Sequence, residues 1–225
     1  MKRFIDKTAG RWTRHLFFIL VRSYYALFYN VSVSGKHLLG AQPGTLILAT
    51  HVSRHDGPLI AAMLYSTARV RPTVHWDEYH NKAQWFPMYV SGAIPMSSPK
   101  TWDPTRRKAR KQFTLDVIGK VLRNDNSVLL FPAGHIRRQP EEIIAPALSG
   151  ARDIIAAHPD QPVMLLHIDG LGPFQNATYD KFWSFIGRQK GRRHVQITLT
   201  PVTDLDPSQD LATFNADLER RLNAV

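Results

Sequence analysis

Leu46-Ile47-Leu48-Ala49-Thr50-His51-Val52-Ser53-Arg54-His55-Asp56 begins as an unbroken apolar run and ends in titratable groups. Pro43-Gly44 turns the chain into it and Gly57-Pro58 turns the chain out of it. A short apolar run between two such breakers reads as a strand buried on both faces, as in a largely parallel sheet. Pro58 suits the first turn of a helix through Leu59-Ile60-Ala61-Ala62-Met63-Leu64. A buried strand therefore hands a histidine to a short loop, and a helix follows.

The same alternation extends in both directions. Val31-Ser32-Val33-Ser34 has the period of a strand and stops at Gly35; Val70 to Trp76, Val128-Leu129-Leu130-Phe131 and Val163-Met164-Leu165-Leu166 read as further strands. Residues 104–123 place Phe113, Leu115, Val117, Ile118, Val121 and Leu122 among Arg106, Arg107, Lys108, Arg110, Lys111 and Lys120, an amphipathic helix despite Gly119. Residues 150–157 form another helix, His194 to Thr200 alternates as a strand, and Asp206-Pro207 starts a last helix through Leu211, Phe214, Leu218 and Leu222. The expected class is α/β, with a mostly parallel mixed sheet covered by helices. No linker or repeat divides the 225 residues, so one domain spanning 1–225 is expected.

Charge and composition narrow the partners. The chain carries 29 Lys plus Arg against 18 Asp plus Glu, a net charge of +11. Anionic lipid, an acidic carrier protein and nucleic acid would all be attracted by such a surface. No recognisable nucleic-acid module is present, so nucleic acid is not the expected partner. Cysteine is absent, which excludes disulfides, thiolate catalysis and cysteine-ligated zinc.

Residues 1–30 form a basic and aromatic segment. Leu16-Phe17-Phe18-Ile19-Leu20-Val21 follows Lys2, Arg3, Lys7, Arg11 and Arg14 but is cut short by Arg22, far below the roughly 20 apolar residues of a spanning helix. No small-residue cleavage site follows it, so neither a signal peptide nor a membrane span is expected. Trp12, Phe17, Phe18, Tyr24, Tyr25, Phe28 and Tyr29 fit a helix that packs on the core, lies in a bilayer interface, or does both.

His51 at a strand end, with Asp56 five residues on, can form a base and its orienting carboxylate, because a short loop folds the acid back onto the imidazole. Asp56 could instead cap the following helix. His51 and His55 are spaced as metal ligands on a helix, but the breaker after them and the lack of a third ligand argue against a metal. A second strand end, Phe131-Pro132-Ala133-Gly134-His135-Ile136-Arg137-Arg138, offers Gly134 for close backbone approach and Arg137 or Arg138 to clamp a phosphate or carboxylate.

Together these two motifs resemble the lysophosphatidic-acid and glycerol-phosphate acyltransferase superfamily, marked by His-x4-Asp and a later Phe-Pro-Glu-Gly-Thr-Arg block. The resemblance covers the motif-bearing core at residues 31–171, where Val33-Ser34-Gly35, Ser53, Gly92-Ala93-Ile94-Pro95, Ser149-Gly150-Ala151 and Pro162-Val163 fall in family order. It implies an acyltransferase-like fold with an interfacial N-terminal helix. It also implies direct transfer of an acyl group from acyl-CoA or acyl-carrier protein to the hydroxyl of a lyso-lipid. His51 would be the base and Asp56 its partner, with Ser53, Lys100, Phe131, Pro132, Gly134, Arg137 and Arg138 contacting substrate. Neither cofactor nor metal is implied, and the expected location is peripheral, at the cytoplasmic face of a membrane. The chain departs from the family at Ala133, where glutamate is usual, and at Thr50 and Leu165. After the second block it reads Met96-Ser97-Ser98-Pro99-Lys100, with Lys100, Arg106 or Arg107 available in place of the usual arginine. These departures leave a second expectation open, a catalytically silent member that only binds lipid.

Overall fold

The computed structural model describes residues 10–42, 44–82, 85–97, 103–171 and 193–224, with the side chains of Arg11 and Arg193 excepted. Lys2, Arg3, Lys7, Pro43, Ser98, Pro99 and Lys100 lie outside the described residues.

Seven strands hydrogen-bond into one sheet: β1 (Tyr29–Ser34), β2 (Leu46–Ala49), β3 (Arg71–His75), β4 (Ile94–Met96), β5 (Val128–Leu130), β6 (Val163–Asp169) and β7 (Arg193–Val202), in the order β1-β7-β6-β2-β5-β3-β4. From β6 through β4 every pairing is parallel; β7 runs antiparallel to β6, and β1 runs parallel to β7. The mostly parallel mixed sheet read from the sequence is thus observed. Strand β2 lies at its centre, with Leu46 to Leu48 beside Val128 to Leu130 on one side and Leu46 to Ala49 beside Val163 to Leu166 on the other.

All four residues of β2 are buried, and the two-residue period divides them between two cores. Ile47 and Ala49 join Leu129, Met164, Leu166 and Ile168 beneath helices α1 (Arg11–Phe28) and α3 (Asp56–Ala68), which supply Tyr25, Leu59, Ile60 and Leu64. Leu46 and Leu48 join Val128, Leu130 and Leu165 on the opposite face. There α6 (Pro104–Arg123), α7 (Gly150–Ala157) and α8 (Leu211–Asn223) supply Ile118, Leu122, Ile154, Phe214 and Leu218. Each fully buried leucine contributes roughly 1.5–3 kcal/mol. Helices on both faces leave the strand ends as the places where polar groups can be presented.

Three short helices complete the described elements: α2 (Lys36–Ala41), α4 (Trp76–Tyr79) and α5 (Trp85–Ser91). None of them carries enough repeats of a helical period to be visible in the sequence. The last helix starts later than Asp206-Pro207 suggests. Asp206 accepts the N–H of Ser208 in a local turn, and it is Asp210 whose carboxylate accepts the N–H groups of Ala212 and Thr213 and caps α8. Gly119 inside α6 has a packing reason: a Cβ there would come within 2.4 Å of the His158 ring at the end of α7.

Helix α1 uses both of its sides. Phe18 and Tyr25 are buried, whereas Trp12, Leu16, Ile19, Leu20 and Leu27, at spacings of a single opposite face, are exposed, Trp12 at 84% and Leu27 at 67%. Exposed Trp85 and Phe86 on α5 belong to the helix that packs beside α1. Among the described residues, no helix is long and apolar enough to cross a membrane.

Candidate active site

The loop after β2 is folded around one carboxylate. Asp56 is fully buried, and its Oδ2 accepts three bonds: from His51 Nδ1 at 2.8 Å, from the Val52 N–H at 2.6 Å and from the Ser53 N–H at 2.9 Å. Asp56 therefore does not cap α3; His55 occupies the cap position without a side-chain capping bond to the helix, and the Asp56 carboxylate turns back on the loop before it. Burial pushes the Asp56 carboxyl up from its ordinary range, and the His51 bond followed by the two main-chain donors pulls it back.

With its Nδ1–H donated to Asp56, the His51 ring presents Nε2 as the proton acceptor. The ring stacks on Phe131 at 4.2 Å between centroids, 22° from parallel, and its side chain stays 19% exposed. A fixed tautomer, a flat apolar support and partial access to solvent are what a general base at a surface cleft requires. Ser53 accepts the His55 N–H through its hydroxyl at 3.2 Å, and the Tyr25 hydroxyl of α1 meets His55 Nδ1 at 3.1 Å, so the loop is braced from the first helix as well. Thr50 is also structural: its hydroxyl accepts the Ile168 N–H and prolongs the pairing of β2 with β6.

The loop after β5 docks directly against this one. The Arg137 N–H donates to the His51 carbonyl at 2.7 Å. Pro132 and Ala133 are buried, and Gly134 takes φ +68° at an exposed bend with open space where a Cβ would point. Its carbonyl accepts from His75 Nε2 at 3.0 Å, which ties the bend to the end of β3. The two arginines part company. Arg137 is 5% exposed, its guanidinium held down by burial and faced by the carboxylates of Glu142, Asp169 and Asp56, whereas Arg138 is exposed. The structure thus gathers His51, Ser53, Asp56, Phe131, Pro132, Gly134 and Arg137 around the ends of β2 and β5, with Arg138 next along the chain; Lys100 lies outside the described residues.

The sequence reading passed over Glu142. It is completely buried, and its Oε2 accepts the main-chain N–H of His51 at 3.2 Å. Burial raises its carboxyl to about 7, opposed by the His51 N–H, Arg137 and the His51 ring, and reinforced by Asp56. Its main chain is held by Asn223 of α8, whose amide accepts the Glu142 N–H at 2.8 Å and donates to the Glu142 carbonyl at 3.0 Å. The one sequence signal pointing that way is Ala133, where the family's usual glutamate is missing from the same loop. Among the described residues, no group of three or more His, Asp or Glu side chains is placed to hold a metal ion.

Residues 30–166, more than half of the chain, match the model of the Acyltransferase family. Among solved structures the chain is similar to the 1-acyl-sn-glycerophosphate (LPA) acyltransferase PlsC from Thermotoga maritima, with a TM-score of 0.59 at 15% identity over 98% of this chain and 84% of that one. At that identity the likeness establishes a common fold. No curated protein matches the sequence.

Proposed function

The chain belongs to the acyltransferase family, and from that premise we propose that it moves a fatty acyl group from acyl-CoA or acyl-carrier protein to the hydroxyl of a lysophospholipid-type acceptor. The preferred acceptor is 1-acylglycerol-3-phosphate or a related lyso-lipid, in keeping with the activity named for the similar Thermotoga protein. The observation that carries the reading is the His51 Nδ1 to Asp56 Oδ2 bond of 2.8 Å at the strand end, with Nε2 left to take a proton.

In this mechanism Nε2 of His51 removes the acceptor hydroxyl proton as the oxygen attacks the thioester carbonyl. The C–O bond forms, the C–S bond breaks, and the proton passes from the imidazolium to the departing thiolate. Asp56 keeps the ring in the required tautomer and stabilises the imidazolium while it exists. The chemistry needs no prosthetic group and no covalent acyl-enzyme. Ser53 and Gly134 line the approach to the base, Phe131 and Pro132 form its apolar wall, and exposed Arg138 contacts the acceptor phosphate. Lys100 is proposed as a second phosphate contact.

The same reading places the enzyme peripherally on the cytoplasmic face of a membrane. The exposed apolar face of α1 together with Trp85 and Phe86 supports this, since aromatic and aliphatic side chains on one helical face suit the headgroup boundary. The net charge of +11 adds attraction to anionic lipid.

The test is acyl transfer from labelled acyl-CoA and labelled acyl-carrier protein to a panel of lyso-lipids, with wild type and His51→Ala compared. Product formed by wild type and lost in the variant supports the base assignment and names donor and acceptor. Absence of product with every pair, alongside tight vesicle binding, would favour the silent lipid-binding reading that the Ala133 departure leaves open.

A further inference from the structure

His51 is held by a carboxylate on each side of its residue. Asp56 takes the imidazole Nδ1–H, and Glu142 takes the main-chain N–H of the same residue. Any acceptor would satisfy a main-chain N–H, and a carbonyl or a neutral amide would do so without burying a charge. Here the acceptor is a completely buried glutamate, close enough to Asp56 for the two acids to repel. Its second oxygen, Oε1, is buried with no hydrogen-bond partner among the described residues. Such an arrangement lowers stability, because taking a carboxylate out of water is costly before any pairing is counted. Sites that break the rule of satisfied burial beside a partly exposed titratable group are where function is expected to be the reason.

The surrounding charges suggest what that function is. Glu142 is faced by His51 and Asp56 from the loop after β2, by Arg137 from its own loop, and by Asn223 from α8. Arg137 in turn faces Asp169 at the end of β6, and His167 on that strand faces both Arg137 and Asp169. With both acids ionised, Asp56, Glu142 and Arg137 together carry one net negative charge. A proton on His51 brings the group to neutrality.

We propose that Glu142 is a second positioning carboxylate for His51, which fixes the main chain of the base and, as an anion, favours the imidazolium that forms when the base takes its proton. The inference rests on the reading of His51 as the base. Arg137 completes the hold, since its N–H takes the His51 carbonyl while Glu142 takes the His51 N–H. Burial holds the Glu142 carboxyl near 7, so its ionisation falls close to neutral pH. Protonation below that point removes the anion, and transfer declines with it.

Glu142→Gln tests the proposal, because the amide oxygen can still accept the His51 N–H while the charge is gone. The acceptor KM stays within about threefold, kcat falls about tenfold at pH 8, and the acid side of the kcat profile loses one ionisation and becomes a single-proton limb. A profile of unchanged shape, merely lowered, overturns the proposal and leaves Glu142 a structural acceptor. The second readout needs no substrate: the His51 imidazole titration, followed by NMR on 15N-histidine-labelled protein, moves to lower pH in Glu142→Gln. An unmoved titration overturns the proposal even where acyl transfer is established. Transfer that survives in His51→Ala would instead overturn the base assignment, so the two failures are distinguishable.

Discussion

Two loops meet at the candidate site, and they are built in opposite ways. The loop after β2 closes within six residues, from His51 to Asp56, around a single carboxylate oxygen that takes three donors from its own neighbourhood. The loop after β5 runs from Phe131 to Ser149 before α7 begins and has no such centre. Its path is held by α8, across 67 to 81 residues of sequence. Asn215, Glu219 and Asn223 project from one face of that helix and bond to the main chain of residues 142–148. The first loop is written locally and the second is written at a distance, which implies that damage to the first removes chemistry and damage to the α8 bonds that hold the second removes order.

The largest expected effect lies in the first loop. Asp56→Asn leaves the fold intact, because burial already disfavours the charged form of this group, but it takes away the carboxylate that sets the His51 tautomer. Turnover should fall by roughly 10³-fold, the scale seen when an orienting acid is lost from a base. Steady-state assays beside a thermal melt check this; wild-type kcat in the variant would remove Asp56 from the mechanism.

The second loop should answer in stability. Asn215 is 2% exposed, and its amide N–H groups serve the carbonyls of Ala145, Pro146 and Leu148. Asn215→Ala strands those acceptors and should cost about 2–3 kcal/mol in urea unfolding, with kcat reduced only a few fold. If instead activity vanished while stability held, the distinction between the two loops would fail.

The same contrast explains what could be read from the sequence. The central strand and the motif at its end were legible because apolar period, turn residues and the His51 to Asp56 spacing all lie within about a dozen positions. The parallel order of the sheet followed from strands and helices taking turns. Glu142 was not legible, since nothing near Pro140-Glu141-Glu142 says that α8 will pull that segment under His51. The separate fates of Arg137 and Arg138 were equally hidden, because one is drawn inward by carboxylates that tertiary folding brings together. Helices α2, α4 and α5 were missed because four to seven residues do not establish a period.

Glu142 also marks the second loop through pH. Its folded carboxyl sits near 7 and its unfolded one near 4.5, so the native state binds the extra proton between those values, and stability from this group is present below pH 4.5 and lost as pH rises through 7. The full span corresponds to about 3 kcal/mol. Half-buried His167 works in the opposite direction, its titration being held down by desolvation. The difference between wild type and Glu142→Gln therefore isolates the effect: urea unfolding at pH 5 and pH 8 should show the variant less pH-sensitive in this sense by about 2 kcal/mol. Equal dependence in both proteins would mean that Glu142 does not titrate in that window.

The smallest effect returns to the first loop. The Ser53 hydroxyl uses a lone pair on the His55 N–H and keeps its own proton for another acceptor. Ser53→Ala should cost no more than about 1 kcal/mol of stability, because Val52 and Ser53 still donate their N–H groups to Asp56 and the turn survives. A hydroxyl that reaches the acceptor predicts a KM raised several fold with kcat nearly constant; a hydroxyl that only shapes the turn predicts neither. Acceptor titrations of the two proteins separate these outcomes, and they do so cleanly only because this loop carries its own support.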